Sequence, residues 1–398
     1  MLKFVHFADV HLGSWRENKL KNLNFKTFEE VINNILKEKI DFVVISGDLF
    51  DIPMPDLEIL KKTMNLFKKL KEKNVPIYII GGSHDYSLSN NSFLEILDIS
   101  DLVTLVDKKV IKKENYLITG INGKKKSLDS LEYKYLKEEI LNKKKEHNNL
   151  FSIFLFHINV KDFTNLNYDG ITKNMLPKGF NYYAGGHIHK HFLEQNENYT
   201  ISYPGPLFPN NFKELKEIKP SYNIVEVDKN KKISVKNVKI SNYEKFYINE
   251  NVGNKKAENI KRDLLNIIDN NDLKNKIVLL ELSGIIDGKT SDIEINKITD
   301  YCYEKGAFVV LRNTLKLKSK ELIDLSNKEE EKNFENFIKE KIEKIRILQD
   351  KNIDKKIIKE LIEEDFEKKE EERNVDYEDR VVKIFDKIFN KNLKDYNF

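Results

Sequence analysis

Through the first 230 residues, short apolar runs alternate with longer segments in which apolar residues recur at three- and four-residue spacing. The runs at 2–7, 42–45, 76–80, 116–121, 151–156 and 182–184 are rich in β-branched and aromatic residues and predict strands. Most are continuous rather than alternating, as expected of strands covered on both faces. Between them, 25–38 and 57–73 carry the spacing of amphipathic helices. Residues 221–227 and 233–240 predict a late hairpin that turns at 228–232. The alternation implies an α/β layered domain.

A polar stretch near 249–256 precedes a second rhythm: helix 257–268, strand 276–286, helix 293–303 and strand 307–313. This predicts a compact second α/β unit. From Asn327 onward the composition shifts to Lys and Glu, with apolar residues confined to three helical stripes. Phe334, Phe337, Ile338, Ile342, Ile345 and Leu348 form the first, and Ile357, Ile358, Leu361, Ile362 and Phe366 the second. Val381, Ile384, Phe385, Ile388 and Phe389 form the third. Little core remains to receive these faces, so they either pack on their own domain or dock a partner. The expected division is 1–240, 245–322 and 327–398.

The net charge of +4 over 398 residues is too small to indicate a nucleic-acid binder by itself. The Lys-rich stretches 108–113, 124–126 and 143–145 are solvated surface unless they share one face, where they would form a phosphate-backbone footprint. The single cysteine, Cys302, excludes an intrachain disulfide framework and a Cys-based zinc finger and fits a reducing, cytoplasmic compartment. No charged-then-apolar leader and no apolar run long enough to span a bilayer is visible, so neither secretion nor membrane insertion is expected.

The chemistry sits at the strand ends. Asp9-Val10-His11 follows the first run, and on an extended backbone residues two apart point to the same side. Gly47-Asp48-Leu49-Phe50-Asp51 ends the second run and Gly82-Ser83-His84-Asp85 the third. His157 ends the run at 151–156, and Gly185-Gly186-His187-Ile188-His189 ends the last, repeating the two-apart geometry with two imidazoles. Each motif alone is weak, since an Asp after a Gly can simply start a turn and a lone His can be a core residue. Together they lie where an open α/β sheet binds ligands. Imidazoles with carboxylates and no thiolate suit Mn, Zn or Fe. The ligands are too many for one tetrahedral ion, which implies two ions sharing a bridging carboxylate. Such a pair, about 3.5–4 Å apart, generates hydroxide at neutral pH and clamps an in-line phosphoryl displacement.

In the order D-x-H, G-D-x-x-D, G-x-H-D, H, G-H-x-H, the chain resembles the calcineurin-like metallophosphoesterases over residues 1–230. Ala8-Asp9-Val10-His11-Leu12-Gly13, Ser46-Gly47-Asp48-Leu49-Phe50-Asp51, Gly186-His187-Ile188-His189 and Tyr203-Pro204-Gly205 are most similar to DNA double-strand-break repair nucleases of the meiotic-recombination-eleven/SbcD type. The resemblance implies a layered sandwich of two mixed sheets flanked by helices, then a small α/β capping domain and a C-terminal helical segment. It implies a manganese-dependent 3′–5′ exonuclease and single-strand endonuclease, working on DNA as a homodimer with an SMC-like coiled-coil ATPase of the SbcC type. Position by position, it implies one ion on Asp9, His11 and His189, with Asp48 as the bridge, and a second on Asp48, His157, His187 and Ser83. His84 is then the catalytic histidine, oriented by Asp51 or Asp85. Ser83 stands where the family has Asn, a better neutral ligand, so a weakened second position is expected. The alternatives are a DNA-end or ATPase-binding scaffold and a phosphodiesterase for a non-DNA substrate.

Overall fold

The computed structural model describes residues 1–87, 92–123, 149–164 and 170–320, together with Tyr133, Ile140, Lys144, Arg380, Lys383, Ile384 and Lys387. Lys124–Lys126, Lys143, Lys145 and, apart from Ile384, the three tail stripes lie outside the described residues.

Twelve strands form the larger part: β1 (Leu2–Phe7), β2 (Phe42–Ser46), β3 (Ile77–Ile80), β4 (Thr104–Leu105), β5 (Ile111–Lys112), β6 (Tyr116–Ile121), β7 (Phe151–His157), β8 (Tyr182–Gly186), β9 (Phe192–Gln195), β10 (Thr200–Tyr203), β11 (Ser221–Val227) and β12 (Ile233–Lys239). They build two six-stranded sheets, in the orders β12-β11-β1-β2-β3-β4 and β5-β6-β7-β8-β10-β9. The central strands of each run parallel, and β11–β12 and β9 add antiparallel edges.

The continuous apolar runs have the expected cause, because both faces of each strand are covered. In β1, Phe4 points between the sheets, while Val5 and Phe7 point outward to helices α1 (Asn18–Lys37) and α2 (Leu57–Glu72). In β7, Ile153 and Leu155 face the first sheet, and Phe154 and Phe156 face the opposite cluster of Tyr183, Phe180 and Tyr203. The strand period of two thus sorts one apolar run into two cores. Helix α1 begins at Asn18, well before the sequence spacing shows it, because buried Asn24 and Thr27 occupy its inward face. Asn24 Nδ2 donates to the Val10 carbonyl at 2.9 Å, tying this helix to the loop after β1. A third helix, α3 (Phe93–Ile99), precedes β4.

Between the sheets lies a polar seam. His6 is fully buried, with Nδ1 2.9 Å from the Tyr182 hydroxyl and Nε2 3.1 Å from Ser46 Oγ, which itself donates to the Ala184 carbonyl. Burial lowers the His6 pKa from its ordinary 6.5 to about 3. The unfolded chain therefore takes up a proton below about pH 6.5 that the folded chain refuses, so stability falls between there and about pH 3, by up to about 1.4 kcal/mol per pH unit. Above that window the residue contributes no pH dependence. Urea midpoints across pH 4–7 are expected to fall less steeply in His6→Leu than in the parent chain; parallel curves would refute the assignment.

The chain continues into helix α4 (Phe212–Glu217) and then a three-stranded sheet of β13 (Glu244–Asn251), β14 (Lys276–Ile286) and β15 (Val309–Ser319). Helices α5 (Ala257–Asp269) and α6 (Ile295–Glu304) connect its strands. The strand β13 ends inside the polar stretch 249–256 that in sequence reads as a boundary. By contacts the described chain forms two compact units, one of Met1–Glu250, Arg262–Leu282 and Glu294–Leu315, the other of Asn251–Lys261, Ser283–Ile293 and the described residues from Lys316. In the first, Ile277, Leu279 and Val309 share a cluster with Leu20, Phe208 and Leu215. In the second, Val252, Ile260, Ile286 and Ile293 are buried, and Val252 N–H donates to the Ser283 carbonyl. No helix among the described residues is long and apolar enough to cross a membrane.

Candidate metal centre

Every residue singled out in the sequence lies at the end of a strand. Asp9 and His11 follow β1, Asp48 and Asp51 follow β2, and Ser83, His84 and Asp85 follow β3. His157 closes β7, and His187 and His189 follow β8. Strands β1–β3 belong to one sheet and β7–β8 to the other, and β2 packs on both β7 and β8. The polar tips of the two sheets therefore meet at one end of the sandwich.

Local backbone geometry differs from the extended D-x-H expected. Asp9 and His11 have φ of 53° and 46°, in the left-handed region, and Asp48 at 51° and His187 at 87° share it. Such conformations cost about 1 kcal/mol or more apiece and persist where surrounding bonds impose them. Here Asp9 N–H donates to the Gly47 carbonyl at 3.1 Å, and Val10 and His11 N–H both donate to the Asp48 carbonyl at 2.9 and 3.0 Å. The ends of β1 and β2 are thus stitched together, and the two side chains converge through bent backbone rather than through strand alternation. Glycine permits the close approach: a Cβ on Gly82 would overlap the Asp48 carboxylate, and one on Gly186 the Ser46 carbonyl and the His157 ring.

Three sets of ligand atoms each lie within 4.8 Å of one another: Asp9–His11–His189, His11–Asp48–His84 and Asp9–Asp48–His157. Asp9, His11, Asp48 and His157 are almost wholly buried, whereas the His84 side chain is about half exposed. Asp48 Oδ2 is 3.1 Å from His157 Nε2 and 3.6 Å from His11 Nε2, and Asp48 Oδ1 accepts the His84 backbone N–H at 2.8 Å. His187 belongs to none of the three sets. Its N–H donates to Asp9 Oδ1 at 2.9 Å, and its ring lies 5.2 Å from that of His157. Ser83 is partly buried beside His84.

The donor atoms fit metal ions. His11 Nε2 and His189 Nε2 approach to 3.2 Å, close to the separation of two nitrogens that share an ion with bonds of about 2.1 Å. Asp9 Oδ2 is buried with no hydrogen-bond partner in the protein, a costly state for a polar atom unless something else coordinates it, and buried His157 Nε2 has only the Asp48 carboxylate beside it. Asp9 and Asp48, each in two of the three sets, make the cluster one for two divalent ions rather than one. Without ions, charge pairing dominates: burial opposes ionisation of Asp48, yet His157 and His11 hold it well below the usual carboxylate range. Burial likewise works against a charged His157, and Asp48 and Asp9 overcome it and push its pKa up.

The two carboxylates expected to orient His84 do other work. His84 Nδ1–H donates to the main-chain carbonyl of Asp51 at 2.8 Å. The Asp51 carboxylate is 3.3 Å from His11 Nδ1 but 4.0 Å from His84 Nδ1. Asp85 is buried and accepts N–H bonds from Gly82 at 2.9 Å, Phe50 at 3.0 Å and Leu49 at 3.3 Å, bracing the ends of β2 and β3. Burial and the neighbouring Asp48 charge raise its pKa to about 7. One neighbour of the cluster has no place among the strand-end motifs: Glu214 on α4, whose Oε1 is 3.0 Å from His189 Nδ1. Its sequence signal is the helix-start pattern Asn211-Phe212-Lys213-Glu214.

Residues 2–191 match the calcineurin-like phosphoesterase family. The DNA double-strand break repair protein Mre11 of Methanococcus maripaludis is 33% identical over 228 residues, covering 55% of this chain and 60% of that protein. The protein of the same name from Methanocaldococcus jannaschii is 32% identical over 280 residues, covering 65% of this chain and 71% of its own length. Against other archaeal relatives the chain spans about half of their length. A dimetal phosphatase structure from Danio rerio aligns over 60% of this chain and 98% of its own at 10% identity, with a TM-score of 0.43, and carries no weight.

Proposed function

Since the chain belongs to the Mre11 family of DNA double-strand break repair proteins and carries a calcineurin-like phosphoesterase domain, we propose that it is a manganese-dependent DNA nuclease. The observation that carries this reading is the triple overlap of carboxylate and imidazole atoms at the meeting point of two sheets. Asp9, His11 and His189 would hold one ion, and His157, His187 and Ser83 the other, with Asp48 shared between them. When bound, the pair supplies Lewis-acid charge and a nucleophile at neutral pH for phosphodiester hydrolysis. His84 fixes its ring through the Asp51 carbonyl, which leaves Nε2 free to take up a proton and, as the imidazolium, to pass it to the leaving oxygen. Its half-exposed position lets substrate reach it.

The activity is 3′–5′ exonuclease and single-strand endonuclease in double-strand-break repair. Residues 1–240 act as the nuclease, 245–322 as a cap and 327–398 as the segment that binds an SMC-like coiled-coil ATPase, in the cytoplasm. Homodimerisation has its support in exposed apolar residues on the first domain, Leu57 at the start of α2 and Ile96 and Ile99 on α3. The test is digestion of linear duplex and circular single-stranded DNA with manganese. Cleavage of both, abolished by EDTA, is expected; no cleavage of either at millimolar manganese would defeat the nuclease reading.

One residue favours a weaker variant of this site. Ser83 offers a short hydroxyl where an amide oxygen would reach the second ion, and His187 stands apart from the three sets. Ser83→Asn is expected to lower the half-saturating manganese concentration about tenfold, the equivalent of one added neutral contact of about 1.4 kcal/mol. Unchanged metal dependence would mean that position 83 contributes nothing to the second ion.

A further inference from the structure

Glu214 lies outside all the strand-end motifs, yet its carboxylate is fixed on both oxygens. Oε2 accepts the Asn210 N–H at 2.8 Å, and Oε1 accepts Asn211 Nδ2 at 2.8 Å beside its contact with His189 Nδ1 at 3.0 Å. Asn211 Oδ1 in turn accepts the Glu214 N–H at 2.9 Å, which caps α4. Both ends of the residue are therefore locked before any ligand arrives.

The other imidazoles of the cluster are held differently: His11 Nδ1 lies 3.3 Å from the Asp51 carboxylate without a hydrogen bond. His157 Nδ1 donates to the Ser46 carbonyl at 2.7 Å and His84 Nδ1 to the Asp51 carbonyl at 2.8 Å, both neutral acceptors. His189 alone among these three donates to a carboxylate. That contact commits Nδ1 as the donor and turns Nε2 toward His11 Nε2 and Asp9 Oδ1, at 3.2 and 3.9 Å. A carboxylate behind a ligating imidazole fixes ring and tautomer and makes the far nitrogen a stronger donor.

We propose that Glu214 is the positioning residue of the Asp9–His11–His189 ion, holding His189 with Nε2 in the cluster so that this position binds metal tightly. The inference rests on the metal-centre reading above but needs no particular substrate. It extends the site beyond the two sheets to α4, making the start of that helix part of the metal machinery.

The test compares the full chain with Glu214→Gln by calorimetric titration with manganese, alongside thermal melting. Glutamine keeps the shape but only one acceptor oxygen, so a merely structural role predicts lower melting with equal metal affinity. The proposed role predicts, whatever the melting shift, one manganese position weakened about 10- to 100-fold and the other unchanged. Excess manganese should restore DNA hydrolysis in the variant. Equal affinities in the two proteins would overturn the role of Glu214. A parent chain that binds manganese but cleaves no DNA would sink the nuclease reading alone and leave this comparison standing.

Discussion

Replacing His84 by alanine is expected to cut the rate of DNA hydrolysis about 10²- to 10⁴-fold, the usual worth of a positioned general acid or base, while two manganese ions still bind. The geometry allows two roles for this residue, since His84 forms one of the three ligand sets with His11 and Asp48. Its attachment argues for the catalytic one. Nδ1 is spent on the Asp51 carbonyl at 2.8 Å, and about half of the side chain lies open to solvent. The buried orphan atom that calls for coordination, Asp9 Oδ2, belongs to another residue. Little stability should be lost, because Asp48 is held by the His84 backbone N–H, which alanine retains. Counting bound manganese by atomic absorption beside the rate separates the roles. A drop from two ions to one would make His84 a ligand, and full activity would remove it from the chemistry.

Much of this site was legible because ligand chemistry is concentrated at strand ends, and strand ends can be read from where apolar runs stop. Asp9, Asp48, His84 and His157 each follow or close a run, and the fold brings them together from two sheets. What the sequence did not convey was how the backbone arrives there. The two-apart spacing of Asp9 and His11 suggested strand alternation, whereas both residues are left-handed and pinned by bonds to the loop after β2. Left-handed φ at a non-glycine residue leaves no mark in composition. Nor did spacing show that Asp85 serves backbone amides or that Asp51 acts on His84 through its carbonyl, since a main-chain contact is blind to side-chain identity.

The secondary structure that escaped notice has its own pattern. Strands 116–121, 221–227 and 276–286 are legible to the residue because their apolar content is dense. Strands β9 and β13 are edge elements, largely exposed and with many polar residues, so no apolar run marks them. Helix α4 is only six residues long, below the length at which a stripe can be recognised, and its information lies in its cap. That cap holds Glu214, so the short helix and its chemistry leave no mark in the apolar pattern.

Asp48→Asn should have the largest effect of any single change at the site. Asparagine keeps the volume and can still accept the His84 N–H through its amide oxygen, so the loop geometry survives. What goes is a carboxylate that faces His157 at 3.1 Å and His11 at 3.6 Å and that, like Asp9, belongs to two of the three ligand sets. On the proposed assignment each ion would lose an anionic ligand, and the two positions the group that would let two positive ions sit close together. Metal catalysis of this kind is worth several kcal/mol, and each 1.4 kcal/mol is tenfold in rate, so hydrolysis should fall by at least about 10³-fold. In contrast to His84→Ala, this loss should accompany loss of metal: titration with manganese should show no tight position, and raising manganese should restore little activity. Two ions bound to Asp48→Asn with parent affinity would mean that Asp48 is not the bridge and that Asp9, the other shared carboxylate, takes its place.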